Sequence, residues 1–228
     1  MRRFIGACLL VLAAFLVVPP AGAAGLFGTR EVYSTNLAPF TKWDGVVARS
    51  ERDLVAPPSQ CDAAADVVCS AAQRWRTFIA ELKTLPLRAR VARVNDAMNR
   101  VRYVPAVTNW HDPDHWETPF EFLARGGQCQ DYAIAKFMAL EQSGVPEEDL
   151  RFAVVRDASL GADHAVAIVY VDGEALVLDN LVADVRPDSA IDRYIPYYSI
   201  NRLGWWYHVP RSGAPTQIAR LGTDAAIR

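Results

Sequence analysis

The chain has 228 residues, of which 51% are hydrophobic and 22% charged, with 24 basic against 26 acidic side chains and a formal charge of −2. So small a net charge, with both signs mixed along the chain, excludes the basic footprint that a nucleic-acid partner needs. The length suits one ordinary domain with a full core, and no repeat or low-complexity tract divides it.

The first elements read as an export signal. Arg2 and Arg3 precede an uncharged apolar run over residues 4–18, then Pro19 and Pro20, then the small residues Ala21, Gly22 and Ala23. A run of about 15 residues is short for a membrane span of roughly 20, so the expectation is a signal peptide over 1–24, cut near Ala23 or Ala24, and a periplasmic protein. Cys8 has no apolar region before it, which argues against a lipid anchor.

Residues 25–40 carry scattered Gly, Thr, Ser, Asn and Pro and read as an extended lead-in to a domain over 41–210, with 211–228 as a tail. Trp43, Val46, Val47 and Leu54 fall near helical spacing, as do Trp75, Phe78, Ile79 and Leu82. Leu87, Val91, Val94, Met98 and Val101 continue the pattern behind Pro86, a residue suited to a first helical turn. Between these stripes, Cys61 and Cys69 stand eight apart in a polar, alanine-rich loop, and an oxidising compartment would let them pair. With Cys8 lost in the signal, Cys129 is then the odd thiol, either reactive or merely a small buried hydrophobe.

The segment His111-Asp112-Pro113-Asp114-His115 has the density of a metal site, yet Pro113 opposes a helix that would bring the histidines together, and a polar loop near the active-site rim is the better account. Trp110 and Trp116 flank this loop as candidate walls of a substrate cleft. Thr118-Pro119-Phe120-Glu121 has the residues of a capping box with proline at the first helical position, and Gly126-Gly127 should stop that helix. The next helix begins near Cys129 and runs to Gly144 and Pro146. Its apolar positions Ile134, Ala135, Phe137, Met138 and Leu140 predict burial.

Beyond Gly144 the period changes to that of strands. Residues 150–155, 164–171 and 174–179 read as three, the last two joined by Asp172-Gly173, a strong signal for a type I′ hairpin. The tail of the domain, rich in Tyr197, Tyr198, Trp205, Trp206 and Tyr207, reads as one or two more. Helices first and an antiparallel sheet after, with the Cys129 helix packed on it, make an α+β fold.

A two-residue turn pairs Val171 with Glu174, which puts Asp179 opposite Val166 and His164 opposite Leu181. His164 and Asp179 then project from one face as diagonal neighbours, roughly 7–8 Å apart and within side-chain reach. The helix start favours an anion at Cys129, an imidazole can take the thiol proton, and a carboxylate fixes the ring. Backbone N–H groups at the helix start, beginning with that of Cys129, could hold an oxyanion, with Gln128 and Trp116 as candidates for the substrate cleft or the oxyanion site. Together these parts suit acyl transfer. Each residue taken singly has another reading: a packed cysteine, a histidine bonded to a nearby carbonyl, an aspartate capping a turn.

The runs 118–127 and 129–136, with His164-Ala165-Val166 and Val177-Leu178-Asp179-Asn180, resemble the bacterial transglutaminase-like cysteine peptidases, an exported family with periplasmic LapG-type members. The likeness extends from about Phe40 to Trp206. It implies a papain-like, transglutaminase-type core, with Cys129 as nucleophile, His164 as general base and Asp179 as orienting acid. In LapG-type members it further implies a surface adhesin as substrate, an inner-membrane regulatory receptor as partner, and calcium held by acids on either side of the cysteine. Here those two positions are Gln128 and Gln130, while Asp131 matches the last acid of the motif. Calcium accepts amide oxygens, but losing two charges weakens such a site, so no cofactor is certain. An exported binding protein with an inert Cys129, or an amine-accepting acyltransferase, are the other functions open to this scaffold.

Overall fold

Helix α6 (Cys129–Gln142) carries the architecture because it has almost no exposed face: residues 129–140 are all buried, Gln130, Asp131 and Lys136 among them. A helix with apolar side chains all round it is stable only when enclosed, and the few polar groups it carries must then find partners inside. In the computed structural model, which describes residues 25–55 and 67–210, α6 is enclosed by β2 (Leu150–Asp157) and β3 (Ala162–Val171) on one side. On the other lie α3 (Leu87–Asn99) and α5 (Pro119–Arg125). Helices α1 (Thr41–Val55), α2 (Val67–Lys83) and α4 (Ala106–Trp110) complete the helical layer. Trp43 of α1 meets Phe137 of α6 edge to face at 5.2 Å, and burying one such side chain contributes about 1.5–3 kcal/mol.

The remaining strands are β1 (Arg30–Ser34), β4 (Glu174–Leu178), β5 (Arg186–Pro187), β6 (Tyr194–Ile200) and β7 (Trp205–Val209). With β2 and β3 they form one seven-stranded sheet in the order β1-β7-β6-β2-β3-β4-β5, and every pair is antiparallel. The α+β expectation therefore holds. The β3–β4 hairpin has the expected register, Val171 opposite Glu174 and Ala167 opposite Leu178. Asp172 and Gly173 have φ of 55° and 80°, the paired positive values that a type I′ turn requires. The ladder stops at Leu178, so Asp179 leaves the sheet one residue past its last pair.

Side chains alternate across β3. Ala165, Ala167, Val169 and Val171 face the helical core, while Val166 and Ile168 enter a second core with Ala153, Val155, Ala175, Val177 and Tyr194. The second core is closed by the chain's own lead-in: Leu26 is buried there and the Phe27 ring meets Tyr194 at 5.8 Å. The lead-in then runs as β1 along the free edge of β7, from Arg30 opposite Val209 to Ser34 opposite Trp205. Cys69, expected in a loop, lies instead in the first turn of α2 and is buried, because its apolar neighbours Ala72 and Trp75 pack on the same core. Its expected partner Cys61 lies outside the described residues, as do the segments expected to be a signal peptide and a tail.

Candidate active site

Two local devices aim the start of α6. The α5 capping box forms as expected, with Glu121 N–H donating to Thr118 Oγ1 at 3.4 Å and Thr118 N–H to Glu121 Oε2 at 2.8 Å. Gly126 ends that helix at φ 79°, where a Cβ would stand 2.3 Å from the Arg102 carbonyl oxygen. Gly127 then pairs with the segment 102–104: Val104 N–H donates to Gly127 O at 2.9 Å, and Gly127 N–H to Arg102 O at 3.3 Å. Asp131 locks the turn, its Oδ2 accepting from Gln128 N–H and its Oδ1 from Glu117 N–H, each at 2.8 Å. Burial, reinforced by the Glu117 charge, pushes the Asp131 carboxyl up to about 8 despite those two bonds. Burial likewise raises Glu117, whose Oε1 accepts from Trp110 Nε1 at 2.6 Å and Asn109 Nδ2 at 3.1 Å.

Cys129 is a free thiol at the first position of α6. His164 and Asp179 come to it from β3 and from the end of β4, and all three are nearly enclosed, with 9%, 5% and 1% of their surfaces exposed. His164 Nε2 lies 2.9 Å from Asp179 Oδ1, which leaves Nδ1 for the thiol. Burial pulls the His164 ring down, but hydrogen bonds to Asp179 and Cys129, with their charges, outweigh it and push the ring up to about 9. Burial opposes the Asp179 charge, yet the His164 bond and charge, the Tyr194 hydroxyl and the Leu181 N–H hold its carboxyl below the ordinary value. The three residues that the sequence singled out are thus brought together.

Several participants carried no sequence signal. Tyr194 O–H donates to Asp179 Oδ2 at 2.5 Å, and Arg193 Nη2 donates to the same oxygen at 3.1 Å. Asn99, at the end of α3, donates to the Asp179 carbonyl at 2.9 Å. Tyr103 is 56% exposed, stacks on Tyr132 at 6.5 Å, and is bridged through its backbone to Gly127 beside the nucleophile turn. Burial raises its hydroxyl, and the Cys129 and Asp131 charges add to the effect. The Tyr103 signal, an aromatic between Arg102 and Val104, is indistinguishable from core until the backbone bridge is known.

Trp116, expected as a cleft wall, is only 8% exposed, and its ring packs on Phe152 at 5.2 Å in the helical core. The carbonyl of Trp116 accepts from Arg49, which draws this segment inward. Trp110 stacks on His115 at 4.2 Å and receives Arg125 over its ring at 4.9 Å. His115 approaches Glu121 at 3.4 Å while His111 stands exposed in a left-handed conformation. The loop therefore does not converge its histidines. Among the described residues, no group of three or more His, Cys, Asp or Glu side chains is disposed to hold a metal ion. His208 is buried between Thr29 Oγ1 and Ser199 Oγ, each at 3.0 Å, and burial brings its ring down to about 4.

The donors around Cys129 do not fit a calcium ion. Gln128 and Gln130 are neutral, both Asp131 oxygens are engaged by backbone N–H groups, and Gln130 Oε1 stands 3.6 Å from the Cys129 sulfur as its acceptor. Calcium takes about 6–8 oxygen ligands, and its affinity rises with the number of carboxylates among them.

The family model for bacterial transglutaminase-like cysteine proteinases (BTLCP) matches residues 60–213. Among solved structures, Legionella pneumophila LapG is similar, with 28% identity over 69% of this chain and 87% of that one, at a TM-score of 0.58. An EGTA-treated form of that LapG gives 28% identity, coverages of 69% and 84%, and a TM-score of 0.58. A calcium-bound form gives 26% identity, coverages of 72% and 86%, and a TM-score of 0.56. No curated protein matches the chain.

Proposed function

The chain belongs to the bacterial transglutaminase-like cysteine proteinases and is a cysteine peptidase, and we propose that Cys129, His164 and Asp179 are its catalytic triad. The observation that carries this reading is one buried imidazole 2.9 Å from a carboxylate, on a sheet packed against the buried helix whose first residue is the free thiol.

The reaction is hydrolysis through a thioester. The Sγ proton passes to His164 Nδ1, and the sulfur lone pair forms a bond to the scissile carbonyl carbon. The carbonyl π electrons move to oxygen, and backbone N–H groups at the start of α6 stabilise that oxyanion. Collapse breaks the C–N bond as His164 returns its proton to the leaving amine. Water, losing a proton to His164, then attacks the thioester carbon and releases the acid product and the thiol. Asp179 holds the ring in place and steadies its charged form, without itself taking the proton.

The protein works after export to the periplasm, following cleavage near Ala23 or Ala24, on a protein substrate of the cell surface. An adhesin held at that surface, with a membrane receptor restraining the peptidase, is the LapG-type version of this role. Cys61 and Cys69 form a disulfide there. No calcium is required, because the amides at 128 and 130 leave no charged cage for it.

The test is stoichiometric labelling of the folded mature protein by iodoacetamide near neutral pH, coupled to a peptide-cleavage profile. We expect one label, lost in Cys129→Ala, and cleavage products that disappear in the same variant. A thiol inert to the reagent, with no cleavage of any peptide, would mark a binding protein. Products joined to an added amine in place of free acids would mark an acyltransferase.

A further inference from the structure

Sγ of Cys129 has a hydrogen-bond partner that the triad does not use. Gln130, the second residue of α6, is 1% exposed, and its Oε1 accepts from the thiol at 3.6 Å. We propose that Gln130 is a positioning residue for the nucleophile, its carboxamide holding the sulfur before and after ionisation by reversing the direction of one hydrogen bond. This rests on Cys129 being the nucleophile.

A thiol carries a single proton, and in the proposed triad it has two acceptors, Gln130 Oε1 at 3.6 Å and the His164 ring. Pointed at Gln130, the proton is parked and the sulfur is held in place. Pointed at His164, it transfers, and the thiolate that remains can only accept. A carboxamide turned half a revolution about its last bond presents Nε2–H where Oε1 stood, with almost no change of shape. The same side chain then donates to the thiolate. A carboxylate in this place could accept from the thiol but never donate to the thiolate.

Charge points the same way. Asp131 and Glu117 are already both fully buried in this turn, the Glu117 N–H donating to Asp131 Oδ1 at 2.8 Å. A carboxylate at the position of Gln130, whose Oε1 stands 3.6 Å from the sulfur, would oppose ionisation of Cys129 unless a cation balanced it. With a neutral amide, the site needs no such ion.

The experiment compares Gln130→Glu and Gln130→Met with the wild-type mature protein, on a peptide that the wild type cleaves. It reads kcat and KM separately, the ultraviolet absorbance of the thiolate at neutral pH, and activity with and without EGTA. We expect Gln130→Glu to lose about ten- to a hundredfold in kcat, the range for one hydrogen bond to a charged group, with KM little changed and thiolate absorbance reduced. Gln130→Met should lose less, since it removes the bond without adding charge, and EGTA should leave the wild type unchanged. Equal kcat and thiolate absorbance in Gln130→Glu and wild type would overturn the proposal. So would equal losses in the two variants, which would mean packing alone, or abolition of wild-type activity by EGTA. Should Gln130→Glu fail to fold, wild-type kcat in Gln130→Met overturns it equally. A wild type with no Cys129-dependent cleavage would instead refute the triad reading, so the two failures are separable.

Discussion

His164 Nε2 and Asp179 Oδ1 lie 2.9 Å apart, although fifteen positions of hairpin separate the two residues in the chain. The tight Asp172-Gly173 turn returns β4 alongside β3 in a fixed register, and Asp179 steps out of the ladder just where its carboxylate can reach back to the ring. The carboxylate is in turn held by Arg193 and Tyr194 from the neighbouring segment.

That relationship gives the first prediction. Asp179→Asn should remain folded but lose about two to four orders of magnitude in kcat, because an amide no longer steadies the imidazolium or dictates which ring nitrogen carries the proton. Steady-state kinetics on a cleaved peptide, beside a circular-dichroism melt, make the check. Undiminished turnover would refute the orienting role.

The raised His164 ring makes a prediction about pH. Its folded value of about 9 exceeds the ordinary 6.5, so the stability it contributes is fully present below 6.5 and is lost as pH rises through about 9. Asp179 behaves oppositely: its lowered value contributes stability present above the ordinary 3.8 and lost as pH falls through the depressed value. Turnover should also decline on the alkaline side near pH 9, as the proton needed by the leaving amine is lost. Melting temperatures of wild type and His164→Gln across this range read the first effect. A variant with the same alkaline slope as wild type would remove His164 as its source.

Tyr194→Phe deletes one of the two side-chain donors on Asp179 Oδ2, leaving Arg193 in place. A hydrogen bond to a charged group contributes about 1.5–3 kcal/mol, so stability should fall by that order while kcat falls less than in Asp179→Asn. Urea unfolding together with kinetics tests this; a variant as stable as wild type would show that the hydroxyl adds nothing.

Cys69 is buried at the start of α2, where it can be tied to the preceding segment, whereas Cys129 is a free thiol. Alkylation of the unfolded mature chain without reductant should therefore add one label by intact mass, and three labels after reduction. Three without reductant would mean that Cys61 and Cys69 are not joined.

What the sequence by itself determined is the set of features whose physics is local. The Thr118 capping box, the stop at Gly126, the Cys129 helix start and the Asp172-Gly173 turn are each decided by sterics and hydrogen bonds within a few residues, and from the turn follows the register that sets His164 and Asp179 on one face within side-chain reach. Burial on both faces masked the alternation of β3, since Ala165 and Val166 enter different cores. Only the tertiary structure decided that the lead-in closes the second core and forms an edge strand, that Trp116 turns inward onto Phe152, and that Arg193 and Tyr194 converge on Asp179. It alone brought the Cys129 thiol to the His164 ring, because that meeting depends on how a fully buried helix seats against a sheet 35 residues further along the chain. No short-range pattern encodes such a seating; it emerges when all the apolar faces are packed at once.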